Sequence, residues 1–220
     1  MSVLEDSSRQ PLRVAGGPIY SRYVKRVLDV GVALLLLPVV GLAIAAFALL
    51  VRLDGGPAFF GHERIGQDGR PFRCWKLRSM VPNSKEVLRD LLASDPVAAQ
   101  EWRRDHKLSN DPRVTGLGRL MRALSIDELP QIWNVLRGEM SLVGPRPVTR
   151  EELVRYRGFE AFYLATKPGI TGLWQVSGRN DVEYAERVRL DVAYATTCSL
   201  RLDLMVMVQT LGAVIARTGR

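Results

Sequence analysis

The sequence predicts a mainly helical α+β protein, in which a membrane-embedded, re-entrant helix hairpin precedes one small globular domain with amphipathic interfacial helices. Three observations lead there. An uncharged run from Val30 to Val51 contains a proline and has basic residues on both sides; a succession of short segments shows helical apolar spacing; and one Asp-Gly pair separates two strand-like stretches. At 220 residues the chain holds one domain with a real core and is too short for two ordinary ones.

Residues 1–20 are polar, carry Ser, Gly and Pro without apolar periodicity, and read as a flexible tail. Residues 21–55 form the membrane element. Its core, "VGVALLLLPVVGLAIAAFALLV", would reach roughly 33 Å as one helix, against roughly 30 Å for a bilayer core. It is too long, begins too late and lacks the cleavage pattern of a signal peptide. Pro38 has no N–H and collides with the carbonyl four residues back, which predicts a hairpin broken near Pro38, with Gly41 loosening the next turn. Arg22, Lys25 and Arg26 precede the run and Arg52, Arg64 and Arg70 follow it. The positive-inside rule keeps both flanks on one side, so a re-entrant path is favoured over a straight span.

Residues 56–200 make the globular domain. Asp68-Gly69 is a turn dipeptide between segments that can pair as a hairpin. The alternation there is imperfect, because Lys76 would share a face with Phe72 and Cys74. Helical spacing follows in 84–104, 116–124, 128–136, 150–164 and 181–196, joined by loops rich in Pro and Gly. Residues 201–220 predict a C-terminal helix, either in the core or lying at the membrane interface.

A formal charge of +8 points to an anionic partner: a nucleic acid, an acidic membrane or a phosphorylated substrate. No nucleic-acid module is recognisable, and the apolar run is hard to reconcile with one. Cys74 and Cys198 stand far apart without metal-ligand neighbours, which supports neither a disulfide framework nor a zinc site and fits a reducing compartment.

The chemistry concentrates in "SIDELPQIWNVLRGEMSLVGPRP", residues 125–147. Ser125 with Glu128 makes a capping-box pattern, the plain structural reading of that pair. Pro130 conflicts with it, because a helix capped by Ser125 would hold a proline one turn in; a later start leaves Asp127 and Glu128 at the helix mouth. Adjacent carboxylates on a helix face different ways, which favours two distinct roles. A carboxylate can attack phosphorus, yet two unit charges 4 Å apart repel by about 4 kcal/mol at an effective dielectric of 20, so cations must be close. Candidates are Lys76 and Arg78 in "WKLRSM", Arg119 and Arg122 in "GLGRLMRAL", Arg179 in "SGRND", and Arg146, set between two prolines. Mg2+, held by the two carboxylates and substrate phosphates, would complete the site.

These motifs, with "SNDPRVTGLGRLMRALS" and "KPGITGLWQVSGRND", resemble the bacterial sugar transferases, monotopic polyprenol-phosphate phosphoglycosyl transferases, from about Tyr20 to the C-terminus. The resemblance implies that residues 56–200 are a catalytic domain on the cytoplasmic face of the bacterial inner membrane. It further implies transfer of a sugar phosphate from a UDP-sugar to undecaprenyl phosphate among membrane lipids. Asp127 would be the nucleophile and carry the phosphosugar, and Glu128 its partner, both in the Mg2+ neighbourhood. Arg122, Arg146 and Arg179 fall on motif arginines, and Asp191 on a family acidic position. The stretch "KPGITGLWQVSGRN" is closer to the branch that transfers glucose or galactose 1-phosphate. Departures are Leu37, where many members have Ser, and Cys198, where hexose enzymes often have Trp. The large N-terminal extension of longer members is lacking, which reads as a minimal or naturally short form. The other reading is a non-catalytic scaffold that binds anionic lipid; a homodimer stays open.

Overall fold

The computed structural model describes residues 20–105, 108–177 and 183–215, with side chains of Arg22, Asp105 and residues 213–215 left aside. Residues 1–19 of the expected tail, and Arg179, lie outside the described residues. A π-helical turn, Tyr20–Val24, leads into helix α1, Lys25–Arg52. The expected break near Pro38 does not interrupt this helix, which runs through with Pro38 inside. Proline removes one donor from the ladder, and the apolar residues on either side, with no competing polar groups, keep the remaining bonds.

Helix α1 is fastened at both ends to the same body. At its start, Arg26 donates to the carbonyls of Val135 and Leu136 at 2.5 and 2.8 Å, and the buried Asp29 carboxylate accepts from Ser141 Oγ and Leu142 N–H, both at 3.0 Å. At its end, Val51 is buried with Ala58, Leu77 and Met121, and its carbonyl accepts from Arg78 at 3.0 Å. Between these anchors Ala33, Leu37, Val40 and Ile44 join the main core, at helical spacing. The other side stays bare: Leu35 is 77% exposed and Val39 75%.

Strands β1, Phe59–Ile65, and β2, Pro71–Leu77, pair antiparallel as the Asp-Gly pair predicts, with Asp68 at φ 58° and Gly69 at φ 75° in the turn. Helices α2, Ser84–Ser94, and α3, Pro96–Asp105, replace the single helix expected over 84–104. Asp95 is forced to extended backbone by the following proline, and its carboxylate then accepts from Val97 and Ala98 N–H at the start of α3. Helix α4 covers Gly116–Ala123 and α5 covers Gln131–Arg137, ending at Gly138 with φ 80°.

Strand β3, Ser141–Val143, precedes α6, Arg150–Leu153, which has a Thr149–Glu152 capping box. Arg157 and Gly158 at positive φ then turn the chain into α7, Glu160–Leu164, dividing the helix expected over 150–164. Strand β4, Gly169–Thr171, lies parallel to β3 and is followed by α8, Leu173–Val176, α9, Tyr184–Thr197, and α10, Leu200–Ile215. The main core joins Phe72, Cys74, Ile132, Val135, Met140, Val143, Tyr194, Cys198 and Val206. A second cluster, Ile65, Val148, Tyr156, Tyr163 and Val188, supports the turn end of the hairpin. Helix α10 lies partly in the core: Asp203 and Val206 are wholly buried, while Val208 and Leu211 face outward.

Candidate active site

The chain reaches the two carboxylates through a strained residue. Ser125 sits at φ 57° and makes no capping bond, Ile126–Glu128 form one 3-10 turn, and α5 begins only after Pro130. The capping-box reading is thereby replaced, and both acids stand at the helix mouth. They meet different surroundings. Asp127 is buried, and no side-chain hydrogen bond or ion pair reaches it among the described residues. Burial raises its carboxyl above the usual value, with Lys76 opposing that and Glu128 reinforcing it. Glu128 is partly exposed and receives Lys76 Nζ at 2.5 Å. Burial pushes it upward too, but Lys76, then Arg146 and Arg64, hold it below the usual carboxylate range.

The hairpin supplies that lysine. Lys76 lies opposite Phe60 and shares the inward face of β2 with Phe72 and Cys74, so the cation that spoils the alternation is the one aimed at Glu128. Asn134 locks α5 to the same strand, accepting from Trp75 N–H at 3.1 Å and donating to the Arg73 carbonyl at 2.7 Å. Arg122, on α4, donates to Ser79 Oγ at 2.9 Å and adds its charge near Asp127. Gly118 lets α4 approach that closely, because a Cβ there would lie 2.0 Å from the Ser79 carbonyl oxygen.

The Pro145-Arg146-Pro147 loop is built by the parallel strands. Gly144 N–H donates to Thr171 O and Gly169 N–H to Pro145 O, each at 2.8 Å. A Cβ on Gly144 would meet the Lys167 carbonyl at 2.3 Å. Beyond the loop, Val148 N–H donates to Tyr163 Oη, which itself donates to Ile65 O. The buried Asp191 carboxylate accepts from Tyr156 Oη at 2.7 Å and from the Arg146 backbone N–H. Burial pushes Asp191 up to about 7, against those bonds and the charges of Arg146 and Arg187. Asp191 therefore holds the loop in place, where the sequence suggested contact with substrate.

Arg78 also differs from its expected role. Its guanidinium is spent on Asp54 and on the carbonyls of Val51, Pro57 and Met80, so it clamps the end of α1 to the end of β2. Among the described residues Arg119 reaches the Val114 carbonyl, at 3.4 Å, and neither carboxylate of the dyad. Three residues that the sequence reading did not assign to the site adjoin it: Arg64, Trp174 and Arg187. Arg64 faces inward from β1 and pairs with Glu152 at 2.7 Å. Arg187 stands 5.0 Å from the Trp174 ring centroid, and Arg146 stands 5.2 Å from the same centroid. The stretch "GLWQVSGRN" contained Trp174, but nothing local indicated which arginines would meet it. An open cavity of about 330 Å³ lies elsewhere, between Glu63, Arg73, Trp75, Arg137 and Glu139, and no dyad residue lines it.

The site thus joins a buried acid, a paired acid and several cations at the ends of two sheets. The profile of the family described as bacterial sugar transferase matches residues 20–217. This chain belongs to the bacterial sugar transferase family. Among its relatives, the UDP-galactose-lipid carrier transferase of Erwinia amylovora is 53% identical over 199 residues, covering 90% of this chain and 42% of that protein. The undecaprenyl-phosphate galactose phosphotransferase of Salmonella typhimurium is 49% identical with the same coverage of 90% and 42%. The exopolysaccharide production protein ExoY of Rhizobium meliloti is 50% identical over 193 residues, covering 88% of this chain and 84% of its own length. The chain therefore spans less than half the length of the first two bacterial sugar transferases and most of the third.

A Mg2+ ion suits this donor set only as a site finished by substrate. Among the described residues no group of three or more His, Cys, Asp or Glu side chains comes together. Two adjacent carboxylates, one without a side-chain partner and one tied to Lys76, match an ion that keeps waters and takes phosphate oxygens for the rest.

Proposed function

We propose that this bacterial sugar transferase moves hexose 1-phosphate from a UDP-hexose to undecaprenyl phosphate, releasing UMP and starting a surface polysaccharide. The observation that carries the reading is the contrast within the dyad: Asp127 is buried, raised and unclaimed by any side chain described, while Glu128 is held ionised by Lys76. A raised carboxyl is the more basic one, and so the stronger nucleophile once ionised.

Asp127 Oδ attacks the sugar-linked phosphorus, the P–O bond to the uridine-linked phosphate breaks, and UMP departs with the bonding pair. An oxygen of the lipid phosphate then attacks the same phosphorus, the bond to Asp127 breaks, and the carboxylate is restored. Lys76 and Arg122 offset the negative charge that gathers as the anionic nucleophile meets an anionic phosphoryl group. Asp191 fixes the loop that presents Arg146. Mg2+, bound through Asp127 or Glu128, would neutralise phosphate oxygens.

The bare apolar side of α1 supports a monotopic seat in the inner membrane, with the domain on the cytoplasmic face. Because both helix ends and the stripe between them grip the globular body, a perpendicular crossing would drag α5 and β2 into lipid. Lying along one leaflet, the uninterrupted helix would expose Leu35 and Val39 to lipid and leave the body in water.

UDP-galactose and UDP-glucose are both candidate donors; galactose stands in the names of the Erwinia and Salmonella relatives and glucose in that of an Escherichia coli relative 36% identical over 200 residues. The test is UMP release from each sugar nucleotide, with and without undecaprenyl phosphate, alongside intact-protein mass spectrometry. A hexose-phosphate adduct on Asp127 is expected with donor alone, and its discharge on adding the lipid. Normal turnover by Asp127→Asn would overturn the mechanism, leaving the lipid-binding scaffold or a direct transfer.

A further inference from the structure

The inward face of the hairpin carries a group that the mechanism above leaves unused. In register, Phe60 lies opposite Lys76, His62 opposite Cys74 and Arg64 opposite Phe72, and strand alternation puts all six side chains on one face. Cys74 is buried. Burial raises its thiol to about 11, and the charges of Lys76, Glu128, Arg64 and Arg146 all reach it. The place of His62 on the sheet, directly across from Cys74, is therefore the one about which the charged side chains of the site gather. Its ring is exposed there and forms no hydrogen bond with any described residue.

The imidazole differs in kind from its neighbours. Partial burial, and next the charge of Arg64, hold it below its ordinary value, with Lys76 adding to this and Glu152 and Glu151 opposing it. At neutral pH the ring thus carries one N–H donor and one bare nitrogen acceptor. Lysine and arginine suit phosphate oxygens, and the carboxylates suit phosphorus or a metal; a neutral donor-acceptor suits a hydroxyl group. Beside it stands Phe60, 54% exposed, with the ring centroids 6.0 Å apart and the planes inclined at 36°. An exposed aromatic face next to a neutral hydrogen-bonding ring matches a sugar, which has hydroxyls at its rim and a patch of C–H groups on one side.

Connectivity selects which part of the donor lies there. Lys76 acts on both carboxylates of the dyad, so the phosphorus under attack sits near its ammonium. The hexose hangs from that phosphorus through a single oxygen, whereas uracil is separated from it by a second phosphate and the ribose. Phe60 faces Lys76 directly across the strands and His62 faces it on the diagonal, separations of about 5 Å and about 7–8 Å. The hexose is the part of the donor that reaches both.

We propose that Phe60 and His62 bind the hexose, the phenyl ring against its C–H face and the imidazole hydrogen-bonded to one of its hydroxyls. The assignment rests on the donor being a UDP-hexose; it does not depend on the covalent step.

The experiment uses the full chain in micelles, carrying Asp127→Asn so that donor binds without turnover. Titration calorimetry compares UDP-galactose and UDP-glucose with UDP, which lacks only the hexose. Adding His62→Ala is expected to weaken the better-bound UDP-hexose about tenfold and to leave UDP within about twofold. His62→Gln, which keeps a donor and an acceptor, should recover part of that loss. Phe60→Ala should weaken the UDP-hexose about fivefold, again sparing UDP, and tests the same idea should His62→Ala fail to fold. UDP-hexose binding at the parent level in both His62→Ala and Phe60→Ala would overturn the assignment, and so would an equal loss of UDP, which would place these residues against the uridine diphosphate part. If UDP-hexose binding falls selectively while the wild-type chain releases no UMP, the hexose site stands and the transfer reaction falls.

Discussion

Replacing Asp203 by asparagine should unfasten the first helix from the last. The Asp203 carboxylate is wholly buried and accepts three hydrogen bonds: Tyr20 Oη at 2.5 Å, Lys25 Nζ at 2.6 Å and Tyr194 Oη at 2.7 Å. Lys25 is itself nearly buried, with 12% of its side chain exposed, so removing the negative charge takes away its ion pair and leaves it the Tyr194 ring, 5.7 Å away, and the charge of Asp29. Breaking one side of such a pair costs roughly 3–5 kcal/mol. The asparagine carbonyl still accepts from one donor, and Tyr194 has the Val143 carbonyl at 2.9 Å as an alternative, which places the expected loss near the lower end, about 3 kcal/mol. Urea unfolding of the micelle-bound protein, followed by circular dichroism, measures it. Adding Lys25→Met to Asp203→Asn removes the stranded charge and should return about 1–2 kcal/mol. A loss below about 1 kcal/mol for Asp203→Asn, or strict additivity in the double variant, would refute the reasoning.

Three further outcomes are expected. Asp191 is raised to about 7 in the fold, so its protonated form is the favoured one; its own contribution to stability should be full below about pH 4 and decline as pH rises toward 7, by up to about 4 kcal/mol, against the opposite slope of Glu128. Asp191→Asn should remove most of that slope in urea midpoints taken across the range, with the raised Asp127 carboxyl leaving a remainder. Lys76→Met should lower the initial rate of UMP release about a hundredfold, with Lys76→Arg keeping part of it; a rate within threefold of wild type would detach Lys76 from the chemistry. Tags at residues 2 and 220 should both be protected from protease in sealed right-side-out vesicles, whereas digestion of the first alone would show a full crossing.

Local chemistry made much of this architecture readable. The uncharged run, the Asp-Gly turn and the helix over Gly116–Ala123 follow from spacing and turn residues, and Pro130 correctly delayed the helix behind the dyad. Lys76 was legible as an anomaly: a charge on an apolar face has no local explanation, and its partner sits 52 residues later. What escaped was decided at long range. The three-residue strands β3 and β4 carry no alternation to detect, and each exists only because the other pairs with it. Arg78 looked like a phosphate ligand because its neighbours in "WKLRSM" resemble one, yet the end of α1 supplies carbonyls that claim it first. Asp191 shows the same limit, since the resemblance placed it at the site while its long-range donors, Tyr156 and the Arg146 backbone, could not be read from its neighbours.

The bond from Tyr20 to Asp203 joins residues 183 positions apart, and this has a consequence for biogenesis. A ribosome adding roughly 5–20 residues each second needs about ten to forty seconds to make the stretch between them. Throughout that interval the greasy N-terminal helix has emerged without the partner that will secure its root. On the proposed membrane seat, lipid or an insertase would shelter it co-translationally, and the last helix then closes on a segment already in place.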